Sequence, residues 1–240
     1  MTEPVRLAKR LAEMLACSRS EAEQYIAGGW VRVDGLVVEE PQFRVRSETI
    51  SLDPDASLTP IAPVTILLNK PPGYHAGEGV NPALSLITAA THAANDHSGI
   101  HLLKKHFTGL TSTTPLETDA SGLVVFTQDW HVARKLGDDA DSVEHEVIVE
   151  VAGELIPHGL KRLNHGLIFN GKALPPCKVS WQNETRLRFA IKAARLGQIA
   201  HMCERVGLQV LSMKRIRIGR VPMAQLSVGQ WRYLRGDERF

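Results

Sequence analysis

The stretch Pro115-Leu116-Glu117-Thr118-Asp119-Ala120-Ser121-Gly122-Leu123, followed directly by Val124-Val125-Phe126, decides how the larger part of this chain is interpreted. A short apolar run that begins at a Ser-Gly turn indicates a buried strand. Carboxylates placed directly before such a strand would be held rigidly at the edge of a sheet, as an active site requires. The sequence therefore predicts an active-site loop that carries Glu117 and Asp119.

Length and composition indicate a globular cytoplasmic protein. The chain has 240 residues, of which 43% are hydrophobic, enough for one substantial core and a small accessory domain. Residues Met1 to Met14 mix charged and apolar side chains, which is unlike a secretory signal or a membrane anchor, and no later run is long enough to span a membrane. The three cysteines, Cys17, Cys177 and Cys203, are far apart, which argues against a disulfide framework and against a cysteine zinc site.

The N-terminal residues 1–52 predict two short helices. Leucines spaced four apart from Leu7 to Leu15 give the first helix an apolar stripe. Ser18 and Glu21 form an S-x-x-E capping box, so a second helix should begin near Arg19 and end at Gly28-Gly29.

A hairpin and a linker complete the predicted N-terminal domain. Asp34-Gly35 separates Trp30-Val31-Arg32-Val33 from Leu36-Val37-Val38, and this dipeptide favours a type I′ turn because both central residues need positive φ. Residues 53–63 contain three prolines and predict a linker. A second domain would then occupy residues 64–240.

The order of helices and hairpin resembles the alpha-L RNA-binding domain, the module of ribosomal protein S-four, over Val5 to Leu52. The resemblance implies that an exposed basic face binds structured RNA. The residues concerned are Arg6, Lys9, Arg10 and Arg19. Taken as charges alone, these residues also fit an ordinary solvated helix face.

The second domain is expected to be α+β, on a mixed and largely antiparallel sheet, because strands predominate over helices. Together with the first domain this gives a small N-terminal alpha-L domain plus a larger sheet domain. Strands are predicted at Ile66 to Asn69, Leu123 to Thr127, Glu146 to Val151, Arg186 to Ile191 and Val210 to Ile218, and helices at Val132 to Lys135 and Gln198 to Val206.

Ordered motifs across the second domain resemble those of the RsuA-type RNA pseudouridine synthases. Besides the acidic loop, they are Leu68-Asn69-Lys70-Pro71-Pro72-Gly73, Pro176-Cys177-Lys178-Val179, Gln198-Ile199 with Met202-Cys203-Glu204, Lys214-Arg215-Ile216-Arg217-Ile218-Gly219, and Gly229-Gln230-Trp231-Arg232-Tyr233-Leu234. The resemblance implies isomerisation of uridine to pseudouridine in ribosomal or transfer RNA, on a flipped-out nucleotide, without cofactor or metal. Arg215, Arg217 and Arg220 cluster on or beside a predicted strand in the basic C-terminal segment, so they are expected to contact RNA, as is Lys70.

Several positions depart from the family pattern, among them Ala120 in place of a hydroxyl residue and Leu196 and Gly197 in place of Asn and Arg. Glu117 stands where the family has its catalytic Asp, Pro115 and Ala200 replace arginines, and Val147 replaces the Tyr that stacks on uracil. A misplacement of roughly 1 Å can cost on the order of a hundredfold in rate, and loss of stacking removes about 1–3 kcal/mol per base. Asp119 is a second candidate for the carboxylate, although it could instead cap the following turn.

These departures predict an RNA-binding member of the family with little or no catalytic activity. Two alternatives stay open: an active synthase that uses Glu117, and a non-catalytic factor for ribosome assembly or RNA regulation. A metal site at His97 and His101 is disfavoured because Ser98-Gly99 between them weakens any helix. The sequence names no protein partner, and it predicts no membrane partner.

Overall fold

The computed structural model describes residues 3–240, so the first two residues of the predicted N-terminal domain lie outside it. The chain divides into two units. The first contains the residues up to Pro63 together with His101–Thr108, and the second contains Val64–Ile100 and Gly109–Phe240. Each has its own apolar core. Among the described residues, no helix is long and apolar enough to cross a lipid bilayer.

The first unit is built on the two predicted helices. Its core contains Leu7, Leu11, Ala22 and Ile26, none of which is exposed. Its elements are α1 Leu7–Leu15, α2 Arg19–Ala27, β1 Val5–Arg6, β2 Val31–Val33, β3 Leu36–Val37, β4 Arg44–Val45 and β5 Ile50–Leu52. Strand β2 lies between β3 and β5, and β1 pairs with β4.

Local signals in the first unit are confirmed. Ser18 accepts a hydrogen bond from the backbone N–H of Glu21, and the Glu21 side chain accepts one from the Ser18 N–H. Asp34 and Gly35 have φ values of 48° and 83°, as a type I′ turn requires. Arg6, by contrast, has extended backbone and precedes α1, so it does not share a helical face with Arg10.

The segment 101–108 was not expected in the first unit. Leu103 is buried, the Lys104 N–H donates to Glu39, and the Lys104 ammonium pairs with Glu40. This segment lies far along the chain and has no motif that points to the N-terminal residues. The contacts group these eight residues with the first unit, whereas the sequence predicts a second domain over residues 64–240.

The second unit has one nine-stranded sheet, in the order β12-β13-β9-β14-β8-β6-β16, with β15 on β14 and β7 on β8. All pairs are antiparallel except β14 with β8. The larger elements are β6 Thr65–Lys70, β8 Ser121–Thr127, α3 Trp130–Leu136, β9 Glu144–Gly153, α4 Gly159–Asn164, β13 Arg186–Lys192, α5 Gln198–Glu204 and β14 Leu208–Ile218. The shorter strands are β7 Thr111–Ser112, β10 Ile168–Phe169, β11 Lys172–Ala173, β12 Lys178–Trp181, β15 Val221–Pro222 and β16 Trp231–Tyr233. The predicted mixed, largely antiparallel α+β fold is confirmed.

The parallel pair depends on a glycine. Gly122 on β8 faces Arg215 on β14, with φ of 108°. A Cβ added at Gly122 would lie 2.1 Å from the backbone oxygen of Arg215 and 2.7 Å from its nitrogen. Only glycine lets these two strands approach so closely.

We predict that Gly122→Ala lowers the free energy of unfolding by more than about 3 kcal/mol, because it adds a backbone clash to an unfavourable φ. Gly73→Ala is the matched control, since Gly73 also has positive φ, at 86°, but nothing lies within 4 Å of an added Cβ. That control should lose only about 1–2 kcal/mol. Urea unfolding of both variants measures the difference, and equal losses would show that the close approach is unimportant.

Candidate active site

The acidic loop between Thr114 and Ala120 is anchored by a buried lysine. Lys70, at the end of β6, is 0% exposed, and its Nζ donates to the carbonyl oxygens of Pro71, Thr118 and Ala120 at 3.0, 3.0 and 2.6 Å. Burial lowers the pKa of Lys70 to about 8, assisted by the charge of Arg215 and opposed by Asp119 and Glu117. Lys70 therefore fixes the backbone of the turn through Thr118 and Asp119.

Arg215 anchors the other end of the same loop. Its guanidinium donates to the carbonyl oxygens of Leu123, Pro115 and Thr114 at 2.7, 2.8 and 3.1 Å. Burial lowers the pKa of Arg215 to about 10, and the charge of Glu117 acts in the opposite direction. A register shift in the pairing of β14 with β9, between Arg215 and Arg217, adds local bending beside the site.

These contacts correct the RNA-binding role expected for two cations. Lys70 and Arg215 are buried, with their donors on backbone carbonyl oxygens, so neither can reach a phosphate. Arg217 is partly exposed but pairs with Glu144 at 2.8 Å and Glu146 at 3.2 Å. Only Arg220 of this group is exposed and has no partner among residues 3–240.

The two carboxylates of the loop have different surroundings. Asp119 lies at the exposed tip of the turn, while Glu117 is partly buried. Glu117 Oε1 accepts a hydrogen bond from the backbone N–H of Gly197 at 3.0 Å. Glu117 is therefore the carboxylate that faces the pocket, and Gly197 ties the segment before α5 to it.

The pocket beside Glu117 is small. Its volume is about 20 Å³, which is room for about one water molecule. Its lining contains no Tyr, Trp or Phe among the described residues. The lining side chains are Pro115, Leu116, Glu117, His145, Val147, Ala194, Arg195, Leu196, Ile199, Met213 and Arg215.

The positions that depart from the family pattern are partly brought together here. Pro115 and Val147 line the pocket, whereas Ala200 is half-buried on α5 and does not. Although Pro115 and Ala200 replace arginines of the family pattern, the carboxylate still has cations nearby, because Arg215 and Lys70 both lie within electrostatic reach of Glu117.

His145 is a pocket residue that sequence reasoning missed. Strand alternation places it on the same face of β9 as Val147, a signal that was available. Burial lowers the pKa of His145 to about 3, and the charges of Arg215 and then Arg217 act in the same direction. The imidazole is therefore neutral near pH 7 and can accept or donate a hydrogen bond in the pocket.

The basic residues expected to bind RNA in the first unit are all on its surface. Arg6, Lys9, Arg10 and Arg19 are exposed. Arg19 pairs with Glu23 at 3.0 Å, an exposed contact of little energetic weight. The surface can thus present these charges to a phosphate backbone.

His92 of the second unit has structural contacts. His92 stacks on Trp231 and its Nε2 lies 2.8 Å from Asp96, which also accepts from the Tyr233 N–H. Among residues 3–240, no group of three or more His, Cys, Asp or Glu side chains is arranged to hold a metal ion.

Comparison with known proteins finds an S4 domain and several RNA pseudouridine synthases similar to this chain. A model of the S4 domain matches residues 5–50. An uncharacterized RNA pseudouridine synthase of Aquifex aeolicus is 27% identical, over 98% of this chain and 94% of the relative. The dual-specificity RNA pseudouridine synthase RluF of Escherichia coli K12 is 26% identical, over 98% and 77%. The ribosomal small subunit pseudouridine synthase A of Vibrio cholerae is 25% identical, over 98% and 97%.

A solved structure agrees with the fold. The crystal structure of a pseudouridylate synthase aligns with a TM-score of 0.61 at 20% identity, and the match covers 96% of both chains. The structural match shows the fold. The chain has an S4 domain at its N-terminus, and its homologues are RNA pseudouridine synthases of the RsuA and RluF type.

We predict that His145 contributes to the loss of stability in acid. Its folded pKa is about 3 against about 6.5 unfolded, so the unfolded state binds the proton first and stability falls as the pH drops below about 6.5. His145→Gln cannot titrate. The decline between pH 6 and pH 4 should become shallower by up to about 1.4 kcal/mol per pH unit, as measured by urea unfolding across pH. An unchanged slope would refute the assignment.

Proposed function

We propose that this protein is a cytoplasmic RNA-binding member of the pseudouridine synthase family that turns over uridine slowly or not at all. Structured RNA, ribosomal or transfer, is the proposed partner, docked by the basic residues of the S4 domain. The names of the relatives support this class, since they describe RNA pseudouridine synthases and one is named for the ribosomal small subunit.

The small size of the pocket beside Glu117 is the observation that supports the proposed loss of catalysis. A nucleobase needs a flat surface to stack on and a space far larger than about 20 Å³. Val147 offers a small aliphatic side chain where the family resemblance implies Tyr. The longer Glu117 side chain is also engaged by the Gly197 N–H, so the segment 193–197 would have to move before a base could enter.

One observation favours the second candidate, an active synthase that uses Glu117. Arg215 lies within electrostatic reach of this carboxylate, so a cationic partner for a carboxylate nucleophile is present. The chemistry then depends on geometry and on stacking, because the charge partner is present.

We expect the wild-type protein to produce little pseudouridine in ribosomal or transfer RNA. Tritium release from 5-tritiated uridine RNA measures the rate, and Glu117→Ala should not change it. The single change Glu117→Asp should give little, because groups that act as a unit are not additive. The combination of Glu117→Asp, Val147→Tyr, Ala200→Arg and Pro115→Arg has the best chance of activity. Enzyme-like wild-type turnover that is abolished in Glu117→Ala would establish the second candidate instead.

We expect RNA binding to be electrostatic through the S4 domain. Replacing Arg6, Arg10 and Arg19 together by Ala should weaken affinity and reduce the slope of log K against log salt by about 0.9 for each phosphate that is no longer neutralised. Filter binding at several salt concentrations measures both. A charge-matched control replaces Lys161, Lys172 and Arg205, which belong to the second unit. Equal effects of the two triple variants would remove the role assigned to the S4 domain.

A further inference from the structure

A second cavity, unrelated to the pocket beside Glu117, lies in the second unit. Its volume is about 630 Å³, within the range of small-ligand sites. Its walls come from the loop that carries Asn95 and His97, from residues 220–226 after β14, and from residues 232–239 after β16. No residue lines both cavities.

The cavity is built by contacts at the β14–β15 turn. Gly219 has φ of 56°, and a Cβ added there would lie 2.8 Å from the backbone carbon of Phe240. Phe240 therefore packs directly on this turn. The buried side chains of Met223 and Leu226 supply an apolar part of the lining.

The lining carries excess positive charge, with four guanidinium groups against two carboxylates. Both carboxylates are already neutralised. Glu238 accepts two hydrogen bonds from Arg232 at 2.7 and 2.8 Å, and Asp237 pairs with Arg235 at 3.1 Å.

Two arginines remain for a ligand. Arg220 is exposed and has no partner among residues 3–240. Arg239 is exposed and uses only Nη1, which donates to the carbonyl oxygens of Gly236 and Glu238 at 2.7 and 2.6 Å. Planar guanidinium groups with free donors match the geometry of a phosphate.

We propose that this cavity binds one nucleotide unit of the RNA strand outside the catalytic pocket. Its phosphate lies on Arg220 and Arg239, and its sugar and base lie against Met223 and Leu226. The amides of Asn95 and Gln225, which also line the cavity, provide donors and acceptors for a base edge. The inference rests on the proposed function, since it names a contact surface for the same RNA.

The test uses two double variants. The cavity variant carries Arg220→Ala and Arg239→Ala, and the charge-matched control carries Lys161→Ala and Arg205→Ala. The control residues lie at α4 and at the end of α5, away from this cavity. Labelled total transfer RNA and fragments of both ribosomal RNAs are the probes. The cavity variant should lose at least tenfold in affinity at about 0.1 M salt, and its salt slope should fall by about 0.7–0.9, because one phosphate is no longer neutralised.

Each outcome decides the inference. The inference is overturned if the cavity variant binds RNA as tightly as the wild type, or if it loses no more affinity than the control. Either result leaves the proposed function standing. Failure of the wild-type protein to bind any of these RNAs ends both. Uridine monophosphate could raise the Tm of the wild type but not of the variant, while the RNA affinity of the variant is unchanged. That result identifies a free-nucleotide site and also overturns the inference.

A second measurement guards against a variant that fails to fold. Wild-type protein is crosslinked by light to RNA that contains 4-thiouridine, and the attached peptides are identified by mass spectrometry. Crosslinks within 220–226 or 235–239 support the cavity as an RNA contact. Crosslinks confined to other segments contradict it.

Discussion

Two buried cations that donate hydrogen bonds to backbone carbonyl oxygens hold the candidate site together. Lys70 and Arg215 donate to six carbonyl oxygens, five of them in the segment 114–123. Burying a charge is costly unless its donors are satisfied, and charge-assisted hydrogen bonds offset much of that cost. Strands β6, β8 and β14 meet at these contacts. The close approach that Gly122 permits is what brings Arg215 within reach of the loop.

This arrangement separates the support of the loop from the chemistry of its carboxylate. The hydrogen bonds of both cations go to the backbone. The Glu117 side chain is therefore positioned by the electrostatic field of these cations and by packing, and not by a direct ion pair. One additional methylene compared with Asp then extends Glu117 to the Gly197 N–H. The same loop backbone could carry either acid, so a retained loop says little about retained catalysis.

Sequence reasoning succeeded where signals were local. The Ser18 capping box, the Asp34-Gly35 turn and the apolar run after Gly122 each encode their structure within a few residues. It failed where partners are distant in the chain. The docking of 101–108 in the first unit and the burial of Lys70 and Arg215 depend on contacts between segments that no local pattern records. Lysine and arginine are usually exposed, and no local pattern marks Lys70 and Arg215 as buried exceptions.

RNA binding and isomerisation make different demands on this fold. Binding needs exposed cations with free donors, and these lie on the S4 domain and around the second cavity, where the carboxylates are already paired. Isomerisation needs a stacking surface and a carboxylate placed within a fraction of an ångström. The residues at Val147 and Glu117 affect the requirements for isomerisation and leave the exposed cations needed for binding unchanged. Under the proposed function, this charge distribution lets the protein bind RNA while the geometry for turnover is absent.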